Sequence, residues 1–330
     1  MNTEADVRST YNSYEAIRQV WVSEIHHADT HAGLQTSHHH MLSAVLELSK
    51  QEQERARGKA PAPFAFFVMG SAGRMEQASF SDQDHGFVFH GSLQHQPYFL
   101  EWGKRISDGL ATCGYPYCDG KIMASEPLWC QSESDWLHQI RQWVEEDTWE
   151  SIRYYTIFLD SRAVYSDRVD FPALKKQLMQ EAAHQHPQII RRLADNVGHR
   201  KKGKGILGQL FTETKGDFRG QLDYRETVLF PFVHAARIFA AHFEITDADT
   251  LSRLHHLSIS GLDTENAQDC FQEALSFRLR HFTGDSRNAA HYLDPDAWSN
   301  EEKKLVKKWM KTGNRLLNDA MTFASRGGRS

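Results

Sequence analysis

The hydrophobic pattern divides the chain into three stretches. In the first, Tyr11, Tyr14, Ile17, Val20, Trp21 and Ile25 recur at roughly helical spacing, and Met41, Leu42, Val45, Leu46 and Leu48 form a second run of this kind. Residues 9–57 are therefore expected to be helical, with the charged stretch 51–59 and Pro61-Ala62-Pro63 acting as a linker. From Phe64 the pattern changes to short apolar runs at 64–69 and 86–89, which alternate with helical segments to about Tyr165. Such alternation predicts an α/β layer. After Phe171-Pro172 the period stays helical to the end. The clearest helices are expected at 222–243, 264–282 and 300–323, the last with a capped start at Ser299 or Asn300. The expected organisation is an N-terminal helical segment at 1–60, an α/β domain at 61–168 and an all-α bundle at 169–330.

Between the first two strand-like runs lies Gly70-Ser71-Ala72-Gly73-Arg74-Met75-Glu76-Gln77-Ala78-Ser79-Phe80-Ser81, followed by Asp82-Gln83-Asp84. A Gly-Ser turn presents backbone N–H groups suited to phosphate oxygens, which marks Gly70 and Ser71. Two aspartates at i and i+2 on a strand point to one face, so Asp82 and Asp84 can both hold a divalent cation. A phosphate cradle beside a metal-binding pair is the minimal apparatus of nucleotidyl transfer, which attacks an α-phosphate and expels pyrophosphate. Two metal ions clamp the attacking and leaving oxygens in such reactions, and holding them takes about three carboxylates. The third is expected from another strand. Asp160 interrupts the strand-like run 157–164 and is the best candidate.

Composition narrows the partners. A net charge of -5 offers no basic field, which disfavours a long nucleic acid. No apolar run approaches the roughly 20 residues needed to cross a bilayer, and residues 1–6 lack the features of a leader. A cytoplasmic protein without a membrane partner is expected. Four cysteines are too few for a disulfide scaffold. Cys113, Cys118 and Cys130 do not have the spacing of a standard zinc knuckle, so reduced thiols are preferred. His27 and His31 have the i, i+4 spacing of a helical metal site. Ala32-Gly33 is expected to end that helix, however, which leaves the histidines on a solvated helix end. The basic residues Arg191-Arg192 and 199–204 read as a solvated face or as a lure for an acidic partner or phosphate. Trp129, Trp136, Trp143 and Trp149 read as packing against the sheet, and Arg237, on an apolar helix, as half of a buried ion pair.

Taken together, Gly70-Ser71-x-Gly73-Arg74-x-Glu76 and Ser81-Asp82-x-Asp84 resemble the polymerase-β-like nucleotidyltransferases. Within these the chain is similar to the branch of PII uridylyltransferase and glutamine-synthetase adenylyltransferase, whose Asp-x-Arg motif is matched by Asp160-Ser161-Arg162. The segment 114–124 and the later Gly220-Gln221-Leu222-Asp223-Tyr224, Ala236-Arg237, 250–254 and 277–280 narrow the resemblance further. They look like the nucleotidyltransferase family often fused to CBS and cyclic-nucleotide-binding domains, together with its C-terminal substrate-binding domain. The similarity spans about residues 40 to 325. The family usually has Asn after the second Asp and Lys near the Leu-Asp motif, where this chain has His85 and Arg225.

The resemblance implies a polymerase-β-like α/β core with a small mixed sheet, flanked by the helical segment and the bundle. It implies Mg2+ or Mn2+ at Asp82, Asp84 and Asp160, and a nucleoside triphosphate donor held by Gly70, Ser71, Arg74 and Lys121. Arg74 is open to a second role, an ion pair with Glu76, and Lys121, expected on a strand after a Gly turn, to that of a solvated lysine. The implied activity is transfer of UMP or AMP to a hydroxyl, on a regulatory protein in the related branch. A nucleotide-sensing module without turnover and a small-molecule nucleotidyltransferase are the alternatives. No separate sensing domain is expected, which leaves regulation to the N-terminal segment or to another protein.

Overall fold

The structure is a computed structural model and describes residues 11–197, 201, 203–205, 209–284, 286 and 288–326. The chain begins with α1 (Tyr14–His26), α2 (His31–Arg57), β1 (Phe64–Val68), the single turn α3 (Gly70–Gly73), β2 (His85–Phe89) and α4 (Gln96–Thr112). It continues through β3 (Cys130–Ser132), α5 (Glu133–Glu146), α6 (Trp149–Leu159), β4 (Arg162–Asp167), α7 (Phe171–Gln185) and α8 (Ile189–Asp195). The last part holds β5 (Leu222–Asp223), a π-helical turn (Arg225–Leu229), α9 (Phe230–His242), α10 (Thr250–Ile259), α11 (Glu265–His281), β6 (Tyr292–Leu293) and α12 (Asn300–Ser325). The fold is mostly helical with a small mixed sheet. Among the described residues, no helix is long and apolar enough to cross a membrane. The chain forms two compact units, one of residues up to Ile140 with Ser161–Leu178, the other of Arg141–Asp160 with Met179 onward.

The first unit is built on a four-stranded sheet of order β3-β2-β1-β4. β1 pairs antiparallel with β2 and β4, and β2 pairs parallel with β3. Every residue of β1 and β2 is buried, which explains why both read as unbroken apolar runs. Alternation sends Phe64 to one face, where its ring meets Phe99 and Trp102 of α4, and Phe67 to the other, against Trp136 and Phe171. The indoles also anchor by hydrogen bonds: Trp102 Nε1 donates to Ser49 Oγ at 3.0 Å and Trp136 Nε1 to the Phe87 carbonyl at 3.0 Å.

The N-terminal helices belong to this unit. Gly109 of α4 lies so close to Tyr14 of α1 that a Cβ there would come within 2.5 Å of the ring. The expected helix end at Ala32-Gly33 is in fact a beginning. Thr30 caps α2, its Oγ1 accepting from Gly33 N at 3.0 Å, so these residues form the first turn. The expected linker at 51–59 is also mostly helix, because α2 runs to Arg57 and stops at Gly58, whose φ of 80° takes the left-handed conformation.

The second unit is arranged on α9, where every residue from Pro231 to Ala240 except His234 is buried, Phe232 and Arg237 among them. Gly313 of α12 lets the two helices meet closely, since a Cβ there would fall 2.7 Å from the Phe232 ring. The capped start of α12 is Ser299, in a capping box with Glu302. The expected helix 222–243 is divided: Leu222 and Asp223 pair with β6, and regular α-helix starts only at Phe230, with Pro231 in its first turn. Trp149 departs from its expected place in the core and is 62% exposed at the start of α6, while Trp129, Trp136 and Trp143 are buried.

Asp160 caps α6 within this unit. Its Oδ1 accepts from Arg253 Nη1 at 2.7 Å and Arg237 Nε at 3.1 Å, and its Oδ2 accepts from Arg237 Nη2 at 2.6 Å. Arg253 also donates to the carbonyls of Leu159 and Asp247. Carboxylate and guanidinium groups are all buried, so the charges compensate one another without help from water. α6, α9 and α10 are thereby tied at one point. Replacing Asp160 with Asn should leave two buried guanidinium groups under-compensated and cost about 3–5 kcal/mol. Ser299→Ala, which removes an exposed cap, should cost about 1 kcal/mol. Urea unfolding of the two variants beside the parent measures the difference.

Candidate active site

β1 ends at Val68 and the chain turns at once into α3. Gly70 has a φ of 56°, which a side chain rarely tolerates, and a Cβ there would lie 2.3 Å from Asp84 Oδ2. Glycine is therefore required twice, for its backbone angle and for the close approach of a carboxylate. Met69 N donates to Asp84 O at 2.8 Å, holding the turn to the strand entrance. By helix geometry the N–H groups of Gly70, Ser71 and Ala72 have no carbonyl within the turn to bond. Ser71 Oγ lies 3.1 Å from Ser81 Oγ.

Asp82 and Asp84 stand in the extended segment just before β2, which starts at His85. Their neighbours explain their direction. Gln83 and His85 point inward, both buried. Gln83 Nε2 donates to the carbonyls of Ser107 and Tyr115 at 3.1 Å each. Ala124 N donates to His85 Nδ1 at 3.0 Å, so Nε2 carries the proton and donates to Gln83 Oε1 at 2.9 Å. With alternate side chains fixed inward, the two aspartates are left on the opposite side, only partly buried.

Among the described residues, Asp82, Asp84 and Cys118 form a group whose ligand atoms lie within 4.8 Å of one another. The 114–120 loop, which the family resemblance puts at the rim of the site, contributes Cys118, a residue whose spacing to the other cysteines gives no sign of this grouping. Cys118 is buried. Burial, with the Asp84 and Asp82 charges, pushes its thiol pKa up to about 12. Lys121 N donates to Cys118 O at 2.9 Å, and the next carbonyl, of Ile122, accepts from His85 N at 3.1 Å. Lys121 is thus in an exposed turn, with a φ of 54°, and not on the strand expected for it.

The ion pair expected as the second role of Arg74 is present. The residue is buried and its Nε donates to Glu76 at 2.8 Å. The ion pair lies inside the loop it braces. Arg162, of the expected Asp-x-Arg motif, donates from Nη2 to the Ala72 carbonyl at 3.1 Å, again bracing the loop.

Asp160 requires a correction. It was expected on a strand as the third metal ligand, but it ends helix α6, and β4 begins after it at Arg162. The apolar run before it is the buried side of a helix. Its carboxylate is occupied by Arg237 and Arg253, a pairing in which the expected ion pair of Arg237 is present.

The residues that sequence reasoning missed lie on α2. His31 Nε2 donates to the Met75 carbonyl at 2.9 Å, and Gln35 Nε2 to that of Gln77 at 2.8 Å, while Gln77 N returns a bond to Gln35 Oε1 at 3.2 Å. His38 Nε2 donates to the Ala78 carbonyl at 3.1 Å, which leaves Nδ1 to accept from the Tyr115 hydroxyl. The i, i+4, i+7 spacing of three polar residues beside Leu34, Met41 and Leu42 was the available signal. In the basic run, Lys201 pairs with Glu213 and Asp223, Arg192 with Asp147, and Arg191 with Asp195, as in a solvated, internally paired face. His199, Arg200 and Lys202 lie outside the described residues, as do residues 1–10.

This geometry agrees with the family comparison. The model described as Putative nucleotidyltransferase DUF294 matches residues 13–150 and includes the turn, both aspartates and Cys118. The model described as Putative nucleotidyltransferase substrate binding domain matches residues 187–322. The chain belongs to this nucleotidyltransferase family. A comparison with curated proteins finds no match. Nucleotidyl transfer is the chemistry to which the family is assigned, and its first model begins at α1, so the α2 brace falls within the matched domain.

Two outcomes follow. Gly70→Ala should push Asp84 aside and weaken Mn2+ binding by about tenfold or more, measured by calorimetric titration. The second concerns His85, whose burial lowers its pKa from 6.5 to about 3. Below 6.5 the unfolded chain binds a proton that the folded chain refuses, so stability falls as pH drops from 6.5 toward 3 and is complete above 6.5. At about pH 5 the loss is about 2 kcal/mol. His85→Asn, which keeps an acceptor for Ala124 N–H, should lose correspondingly less between about pH 7 and pH 5 in denaturant titrations.

Proposed function

We propose that the chain transfers UMP or AMP from a nucleoside triphosphate to a hydroxyl acceptor, with a tyrosine or similar hydroxyl of a regulatory protein as the leading acceptor. The observation that carries this reading is the convergence of the Asp82 and Asp84 ligand atoms beside the glycine turn. The residues fit a divalent cation, because two carboxylates face one point and Gly70 leaves the space beside Asp84 free of a side chain. Asp82 and Asp84 would hold Mg2+ or Mn2+, which when bound neutralises phosphate charge and acidifies the acceptor hydroxyl.

The remaining work falls to the chain itself. The N–H groups of Gly70, Ser71 and Ala72, with the Ser71 hydroxyl, would hold phosphate oxygens of the donor. Lys121, exposed on its turn, can add positive charge at the rim. Arg74, paired with Glu76, would keep the loop in shape. Catalysis on this reading is positional and electrostatic. The second matched domain would present the acceptor.

The engagement of Asp160 by two arginines favours a second reading, a nucleotide-sensing module that binds without turnover, since the third carboxylate is committed elsewhere. Incubation with each α-labelled nucleoside triphosphate and a cell lysate, followed by mass spectrometry of the labelled proteins, separates the two. Label transfer that falls by at least about a hundredfold in Asp82→Ala is the expected result. Tight nucleotide binding with no pyrophosphate release from any donor supports the sensor instead.

A further inference from the structure

We propose that Cys118 is the third ligand of the cation site at Asp82 and Asp84, so that the site takes a thiophilic divalent cation such as Zn2+ or Co2+ more tightly than Mg2+. The inference rests on the reading that the two aspartates bind a cation.

Buried cysteines are commonly small hydrophobes, and three of the four here fit that description. Cys130 sits on β3 inside the sheet, Cys113 Sγ donates weakly to the Tyr14 carbonyl, and Cys270 neighbours Thr312 and Asn266 on a helix. Cys118 differs in position. Its sulfur lies within 4.8 Å of oxygens from both aspartates. Two backbone bonds fix it there, Lys121 N to its own carbonyl and His85 N to the Ile122 carbonyl, which ties the turn to the strand that carries the aspartates. A thiol has no reason to be held between two anions for packing alone. A cation placed among the three atoms reverses that cost.

The donor set decides the metal. Mg2+ demands oxygen ligands and keeps its waters, whereas a sulfur with two carboxylates suits Zn2+ or Co2+. As the sulfur–metal bond forms, the thiol proton leaves to solvent, and no electron is transferred. With Asp160 committed to Arg237 and Arg253, the thiol supplies the third ligand that a carboxylate was expected to give.

Co2+ titration of the full chain tests this by absorption spectroscopy, with calorimetry for Co2+ and Mg2+ and circular dichroism to confirm folding. The expected result is a thiolate-to-cobalt charge-transfer band in the near ultraviolet that is lost in Cys118→Ser and Cys118→Ala. Either substitution should weaken Co2+ binding by roughly tenfold to a hundredfold and change Mg2+ binding by less than about twofold. Co2+ bound without that band, yet lost in Asp82→Asn with Asp84→Asn, overturns the role of Cys118 and leaves the aspartate site standing. Co2+ binding indifferent to both aspartates overturns the site and this inference together.

Discussion

The site depends on backbone hydrogen bonds that its own loop cannot make. Between α3 and β2 the chain runs through buried surroundings without regular structure, and each buried carbonyl there must find a donor. α2 supplies three of them, from His31, Gln35 and His38, to Met75, Gln77 and Ala78. Arg162 supplies another to Ala72. A helix far earlier in the chain thus sets the path of the loop that separates the phosphate-type turn from the aspartates. This is why the N-terminal helices belong in the unit that carries the site, and why a loop rich in small residues can still hold a fixed shape.

From that path the rest of the geometry follows by alternation. Gln83 and His85 are held inward by a chain of bonds reaching Ser107, Tyr115 and Ala124, so Asp82 and Asp84 have one direction left to face. Keeping His85 neutral matters here. A second proton on the imidazole would destroy the acceptor that Ala124 uses, and burial prevents it down to about pH 3. The network carries no net charge.

What the sequence made legible was local. The turn, the aspartate pair and the capped start of α12 depend on residues within a few positions of one another, and local stereochemistry is enough to place them. The brace from α2 depends on contacts about 40 residues apart, and the polar residues that form it look solvated until the loop they serve is folded beneath them. The start of α2 differs from expectation for a related reason. Ala32-Gly33 has the composition of a stop, yet Thr30 ahead of it caps a start, and a cap outweighs one glycine in a first turn. Lys121 and Cys118 were placed on a strand or among cysteines because nothing local reports that their turn folds against His85.

Asp160 shows how far residue chemistry can carry an inference. An acid in an apolar run announces that something must neutralise it, since a lone buried carboxylate is too costly to survive. Metal ions and arginines both meet that demand, and the sequence near Asp160 does not distinguish them. The neutralisers are Arg237 and Arg253, 77 and 93 residues further on, on α9 and α10. The same demand acts at Asp82 and Asp84, whose ligand atoms converge with the Cys118 sulfur beside the glycine turn. Asp160 ends a helix and is held by two arginines, whereas the pair stands in an extended segment next to a tight turn. That difference in setting is what separates the structural carboxylate from the two proposed to do chemistry.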